Sequence, residues 1–388
     1  MKTIKDLNIN NKKVIIRCDF NVPIKNGKII DTNRIDEELK TINYCINNNA
    51  KVILLSHLGR IKTKEDLDKN DLEIVFKYLK TIYKNKIFFS NKTKGKELEN
   101  IISNMNYGEI VLVQNTRYED LEDKKESSND NNLATYWASL GDIFINDAFG
   151  TLHRSHASNV GISSHLESAI GFLVEKELEH LNFLNNPEKP FTIILGGSKI
   201  SDKIGVVEKL IKKADYLLIG GAMANTFLKA NNINIYNSVY DIEKVEYAKE
   251  LLDKYSDKII LPIDAKTSTD INSNTYIEKD VTNLEEKDLI LDIGSKTVNL
   301  YKTYIDKSSS IFWNGPLGYY ENDIFVEATI DLLNYLKDKD IKTIIGGGDT
   351  ASIANKLKLN DKLYHISTGG GATLSYIEDN NLVGLKNI

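Results

Sequence analysis

The chain holds only five arginines, Arg17, Arg34, Arg60, Arg117 and Arg154, all in its first half, although Lys and Arg together number 50. Lys, Asn and Ile are abundant, and prolines number five. In such a composition a retained arginine marks a place where lysine does not serve. The physical difference is the planar fork, which grips carboxylate or phosphate through two parallel bonds. Arg34 lies in DTNRID, Arg60 closes SHLGR behind His57, Arg117 follows the apolar run of EIVLVQNTRYED, and Arg154 lies in GTLHRSHAS. Asp19 and Asn21 of DFN directly follow another apolar run. Converging at a sheet edge, this set suits a small, highly anionic molecule. Arg17 falls inside its own apolar run and reads as a structural ion-pair partner. His153, His156 and His165 show no metal-ligand spacing and read as structural hydrogen-bonding residues.

The second half is built for different chemistry. FTIILGGSK (Phe191–Lys199), YLLIGGAMAN (Tyr216–Asn225), SIFWNGPLG (Ser310–Gly318), TIIGGGDT (Thr343–Thr350) and HISTGGGAT (His365–Thr373) each run from an apolar stretch into glycines. Backbone N–H groups at a helix start form an anion site, and glycine lets a phosphate reach them. Several such turns in one half point to a phosphate chain or nucleotide. Lys199 and Lys203 are four apart, predicting one face of a helix from which both reach phosphates, or else two solvated lysines. Asp349 opens a helix, where a carboxylate serves as a cap and, beside phosphates, as a ligand to Mg²⁺. Glu321 is a candidate for a ribose hydroxyl. Neither GxxxxGK[ST] nor the protein-kinase motif set is present. GGGDTA fits GxGxxA, which keeps an NAD-dependent oxidoreductase as an alternative. The next strand, LYHIST, lacks the terminal acid that would hold the ribose, so this match is poor. A non-catalytic two-domain protein closing on an anionic metabolite is a third reading, and it leaves the glycine-rich half unexplained.

These groups need a scaffold. Apolar strand-like runs alternate with helical patterns throughout, which is the signature of an α/β fold with parallel sheets. At 388 residues the chain exceeds one ordinary core, so two domains are expected. Open α/β sheets bind ligands beyond the carboxyl ends of their strands, where both residue sets fall. Phe172–Pro187 carries Leu173, Leu178, Leu181 and Leu184 on one helical face. It reads as a helix joining the domains, or as a surface helix within one. A net charge of −5 without a basic block, and no aromatic interleaving, argue against nucleic acid. No apolar run has the length of a membrane span, and the N-terminus lacks a signal-like apolar core. Two distant cysteines, Cys18 and Cys45, suit a reducing cytosol.

RCDFNVP, SHLGR, DAFGTLHRSHAS, GGSKISDKI, GGAMANTFL, WNGPLG, GGGDT and STGGGA occur in this order. From about Asp6 onward the chain thereby resembles the phosphoglycerate kinase family. The resemblance implies two doubly wound, Rossmann-like parallel-sheet domains joined by a helix, with a ligand cleft between them. Residues 1–171 plus 372–388 would bind phosphoglycerate, 172–189 would join, and 190–371 would bind nucleotide. It implies a cytoplasmic monomer that passes a phosphoryl group between 1,3-bisphosphoglycerate and ADP, giving 3-phosphoglycerate and ATP, with Mg²⁺. Carried over by motif, Asp19, Asn21, Arg34, His57, Arg60, Arg117 and Arg154 would hold the phosphoglycerate. Gly197, Lys199, Lys203, Gly294, Asn314, Glu321, Gly347, Gly348, Asp349 and Thr350 would hold the nucleotide, with Asp349 toward the metal. Such transfer needs positioning and charge stabilisation, not a general base. Arg34 and Lys199 would contact the transferring group, with backbone donors at Gly348 and Gly371, and hinge closure would bring the ligands together. Ile61 and Ser295 stand where the family usually has proline, and Leu261–Ser268 fits the family less well.

Overall fold

The computed structural model describes residues 1–388. They form two compact units, Met1–Glu179 with Asp379–Ile388, and His180–Glu378.

The first unit is built on a six-stranded sheet in the order Ile87–Ser90, Ile110–Val113, Lys51–Leu55, Lys13–Arg17, Ile143–Asn146, Glu167–Ile170, parallel throughout. Its central strands are continuous apolar runs because helices cover both faces. Side chains alternate between the faces. Val14, Ile16, Val52 and Leu54 join one core, whereas Ile15, Ile53, Leu55 and Val111 join the other. Each such fully buried aliphatic side chain contributes about 1.5–3 kcal/mol. Helix Asn33–Asn47 buries Ile35, Glu38, Thr41, Ile42 and Cys45, one stripe at helical spacing that contains a carboxylate. The sheet order reverses at strand Lys13–Arg17, with Lys51–Leu55 on one side and Ile143–Asn146 on the other. A crevice opens beyond a strand end at such a reversal. Asp19 lies there.

The second unit repeats the plan. Its parallel sheet runs Ile259–Ile260, Tyr216–Ile219, Phe191–Leu195, Ser310–Asn314, Lys342–Gly346, His365–Ile366. The order reverses between Phe191–Leu195 and Ser310–Asn314, where Asn314 sits in register with Leu195 and Gly346. The unit also contains a separate antiparallel sheet, Ile277–Asp280, Asp264–Ser268, Leu289–Ile293.

Helix Phe172–Asn182 contains the division between the units, and Leu173, Leu178, Leu181 and Leu184 are all buried. The chain re-enters the first unit at Asp379 and not at residue 372. Helix Gly371–Asp379 intervenes, held in the second unit by paired hydroxyls of Ser367 and Thr373 at 2.6 Å and by Tyr376 donating to Asn182 at 2.9 Å. The final residues then bond to the first unit, Gly384 N–H donating to the Leu152 carbonyl at 2.8 Å. No helix is long and apolar enough to cross a membrane.

Candidate functional site

In the first unit, the loops leaving the strand ends are tied to one another. Asn21 Oδ1 accepts the Gly59 N–H at 2.8 Å, joining DFN to SHLGR. Arg34, in the first turn of helix Asn33–Asn47, donates from Nη1 to Asp19 Oδ2 at 2.9 Å. His57 Nδ1 lies 3.9 Å from Asp19 Oδ1 and 3.3 Å from Arg17 Nη2. Arg117 donates from Nη1 to Asp120 at 3.3 Å and to Ser127 at 3.2 Å. Arg154 is exposed and its Nε meets His153 Nε2 at 3.0 Å.

The electrostatics show how closely these groups converge. Burial first, then Arg17, Arg117 and Arg34, hold the His57 imidazolium well below its usual pKa. Burial, then Arg17, Arg117 and Arg154, push His156 down to about 3. His153 is lowered by burial and by Arg154. Both strongly shifted imidazoles are therefore neutral, because burial first, and the neighbouring guanidinium groups second, disfavour their charged form. Buried nitrogens remain without partners: Arg117 Nε, His153 Nδ1 and His156 Nδ1. Arg117 Nε is a buried donor without a partner, which suits an anionic ligand here.

Arg17 is wholly buried behind this surface. Its Nε donates to Ser158 Oγ at 2.7 Å and its Nη1 to the Cys18 carbonyl. Ser158 in turn donates to buried Glu126, with its N–H at 2.9 Å from Oε2, so Arg17 and Glu126 balance each other through a shared serine. Arg60 is exposed, and its guanidinium makes no hydrogen bond within the protein. His156 is buried and His165 bonds Thr135 Oγ1 at 3.2 Å.

In the second unit the glycine turns close around the sheet ends. Gly197, at φ +97°, donates to the Pro316 carbonyl at 2.8 Å, and Gly221, at φ +63°, to the Leu317 carbonyl at 2.7 Å. Gly347, at φ +84°, packs against the Asn314 amide, where a Cβ would lie 3.0 Å from Nδ2. Gly348 begins helix Gly348–Lys356, and a Cβ built on it meets no protein atom within 4 Å. Packing therefore does not forbid a side chain at Gly348, and the bare backbone faces open space. A Cβ on Gly370 would lie 4.0 Å from the Gly348 nitrogen, so the starts of helices Gly348–Lys356 and Gly371–Asp379 come close together. Asn314 Nδ2 and Thr350 Oγ1 are buried without hydrogen-bond partners beside this turn.

An apolar cavity of ≈ 400 Å³ adjoins these turns. Ala224, Leu228, Val239, Leu289 and Leu317 contribute to its walls, and Tyr320, Glu321 and Asp349 to its polar edge. The Tyr320 hydroxyl lies beside the Asp349 carboxylate, and burial, then that carboxylate, raises its pKa. Gly197 also lines it, whereas Lys199 is exposed nearby in sequence and outside the lining. The walls carry no sequence signal, being ordinary apolar residues of several elements. Leu261–Ser268, the segment that fits the family less well, supplies Pro262, Asp264 and Ala265.

Two sequence expectations need correction. Lys199 and Lys203 do not share a helical face: Ser201–Lys203 is a tight 3-10 turn, and the helix begins only at Ile204. Lys203 points inward, donating to the carbonyls of Gly196 and, at 3.0 Å, Asn314. Strand ends that turn at glycine leave carbonyls in need of a donor, and Lys203 supplies it. Burial pushes its pKa down to about 8. Gly294 does not line the cavity. Its missing side chain makes room for the Asp264 carboxylate, which accepts the Lys296 and Thr297 N–H groups at 2.9 and 2.7 Å and caps helix Ser295–Ile305.

No group of three or more His, Cys, Asp or Glu side chains is placed to hold a metal. Asp349 alone, exposed beside two unpaired buried donors and a helix start, suits a cation whose other ligands are phosphate oxygens and water.

Comparison with known proteins gives the family. The family described as Phosphoglycerate kinase matches residues 4–380. A phosphoglycerate kinase of Fusobacterium nucleatum is 49% identical over 393 residues, covering 100% of this chain and 99% of that protein. One of Macrococcus caseolyticus is 47% identical over 100% of this chain and 98% of its own length. The solved phosphoglycerate kinase of Pyrococcus horikoshii superposes with a TM-score of 0.88 at 29% identity over 100% of this chain and 98% of that one. That of Coxiella burnetii gives 0.83 at 33% identity over 99% and 97%. None of these relatives supports the oxidoreductase alternative. With the family matched over nearly the whole length and relatives near half identity, the chain belongs to the phosphoglycerate kinase family.

Proposed function

We propose that this chain transfers a phosphoryl group reversibly between 1,3-bisphosphoglycerate and ADP, giving 3-phosphoglycerate and ATP. The observation that carries this reading is a division of labour. Four guanidinium groups and neutral imidazoles converge in one unit, while bare glycine turns flank an apolar cavity in the other. The first arrangement suits carboxylate and phosphate, the second a nucleotide with its base in the apolar cavity.

Asp19, Asn21, Arg34, His57, Arg60, Arg117 and Arg154 bind the phosphoglycerate. Arg60 is the exposed, unpaired fork, while Arg34 is held on one arm by Asp19 and buried Arg117 by Asp120. Gly197, Lys199, Asn314, Gly347, Gly348 and Thr350 face the phosphate chain, and Glu321 takes the ribose. Lys203 shapes the turn from behind. Asp349 would hold a Mg²⁺ ion that arrives with the nucleotide, and that ion would supply charge neutralisation at the phosphates. The acceptor is already an anionic oxygen, so no base is needed, and the absence of a nucleophile–base pair among the site residues follows. Arg34 and Lys199 hold the transferring group, and the N–H groups at Gly348 and Gly371 add donors. Since the two ligands belong to different units, transfer requires closure that brings them together and excludes water. The protein acts as a monomer in the cytoplasm.

ATP formation from 1,3-bisphosphoglycerate and ADP, followed with purified protein, tests the reading. Turnover dependent on both substrates is expected. A protein that reduces a nicotinamide cofactor and makes no ATP would overturn it.

A further inference from the structure

Behind the crevice of the first unit lies a carboxylate that the proposed reaction does not use. Glu38 and Asp147 are both fully buried. Glu38 Oε1 accepts the Asp19 N–H at 2.7 Å. Asp147 Oδ1 accepts the Leu173 and Val174 N–H groups at 2.9 and 3.1 Å, the first turn of helix Phe172–Asn182. In that same turn the Phe172 N–H donates to Thr41 Oγ1 at 2.9 Å. Gly171 makes the approach possible, since a Cβ there would overlap the Asp147 carboxyl. The other oxygens, Glu38 Oε2 and Asp147 Oδ2, are buried without a hydrogen-bond partner, and the two carboxyls lie close enough to interact directly.

Two buried carboxylates in such contact cannot both be ionised without setting charge against charge. One proton between Oε2 and Oδ2 satisfies both orphaned atoms. We infer that Glu38 and Asp147 share a proton and form a clamp tying the Asp19–Arg34 pair to the start of helix Phe172–Asn182, with Glu38 the positioning residue for Asp19. This rests on Asp19 and Arg34 belonging to the phosphoglycerate site.

The surroundings favour one shared proton. Asp19 and the Cys18 thiol face Glu38, while Thr41 and the Cys45 thiol face Asp147. No cation is among the groups that shift either carboxyl most, and Arg34 is engaged on Asp19 Oδ2 and Arg17 on Ser158. Burial raises Asp147 to about 6 and Glu38 well above the usual carboxylate range, and the two titrate as a unit. The folded chain thus keeps a proton that the unfolded chain releases near pH 4 to 5. The stabilisation is complete below that range and is lost as pH rises through the upper pKa of the pair.

The test uses the full chain and three readouts. In wild type, infrared spectra at pH 7 show the C=O stretch of a buried protonated carboxyl, and Glu38→Gln removes it. The glutamine amide accepts from Asp19 and donates to Asp147, so the alkaline fall in unfolding free energy is weaker in Glu38→Gln than in wild type. Glu38→Ala leaves the Asp19 N–H unpaired and raises KM for 3-phosphoglycerate about tenfold with a smaller change in kcat, and Glu38→Gln restores KM to within about twofold. An infrared band and pH slope unchanged by Glu38→Gln overturn the shared proton. Equal KM for the alanine and glutamine variants overturns the positioning role. If the alanine variant does not fold, the spectrum and slope of the glutamine variant decide. Failure of the site assignment shows differently: Arg34→Lys and Asp19→Asn would then leave 3-phosphoglycerate affinity intact while the infrared band persists.

Discussion

Arg34 is the residue where geometry outweighs charge. One arm of its fork is fixed by Asp19, 2.9 Å from Nη1, which leaves the remaining donors for a ligand. Lysine keeps the charge but offers no second arm once Asp19 is engaged. Arg34→Lys should therefore lower kcat by at least about a hundredfold, since a forked cation at a transferring phosphoryl group is worth roughly 10³–10⁵. Steady-state rates in both directions measure this, and near wild-type turnover would refute it. His156 makes a prediction about pH. Its folded pKa, about 3, lies below that of an exposed histidine. The unfolded chain takes up a proton that the folded chain refuses, so stability is intact above about pH 6.5 and falls as pH drops below it. His156→Gln should reduce the acid slope of the unfolding free energy by up to about 1.4 kcal/mol per pH unit. Denaturant melts from pH 7 to pH 4 provide the comparison.

Among the elements, the start of helix Gly348–Lys356 separates folding from binding. The space beyond Gly348 holds no protein atom within 4 Å, so alanine there meets nothing. Helix propensity favours alanine over glycine by up to about 1 kcal/mol. Gly348→Ala should then unfold at the same temperature as wild type or higher, while KM for nucleotide rises on the order of tenfold through loss of a backbone contact. Gly347 is the contrast. At φ +84° and pressed against Asn314, it is needed by the fold itself, and alanine there should lower the melting temperature. Calorimetry together with nucleotide titration distinguishes the two. A matched loss of stability in both variants would mean that Gly348 also serves the fold.

On the scale of the whole molecule, two units of similar plan carry two unlike surfaces, and the proposed transfer needs both. Small-angle scattering should show a smaller radius of gyration with 3-phosphoglycerate and nucleotide together than with either alone. Equal dimensions in all states would remove domain closure from the proposal.

The sequence by itself determined the strands, the glycine turns at their ends and the set of arginines. Each of these is local: an apolar run buries both faces of a parallel strand, a positive φ calls for glycine, and a fork cannot be replaced by an ammonium. The tertiary structure alone decided the inward turn of Lys203, the capping that accounts for Gly294, the return of the chain at Asp379 and the apolar walls drawn from Leu228, Val239 and Leu317. It also decided that Glu38 lies within a hydrophobic stripe against Asp147. These depend on which carbonyls and carboxylates remain unmet once distant elements have packed, and spacing along a chain does not encode that.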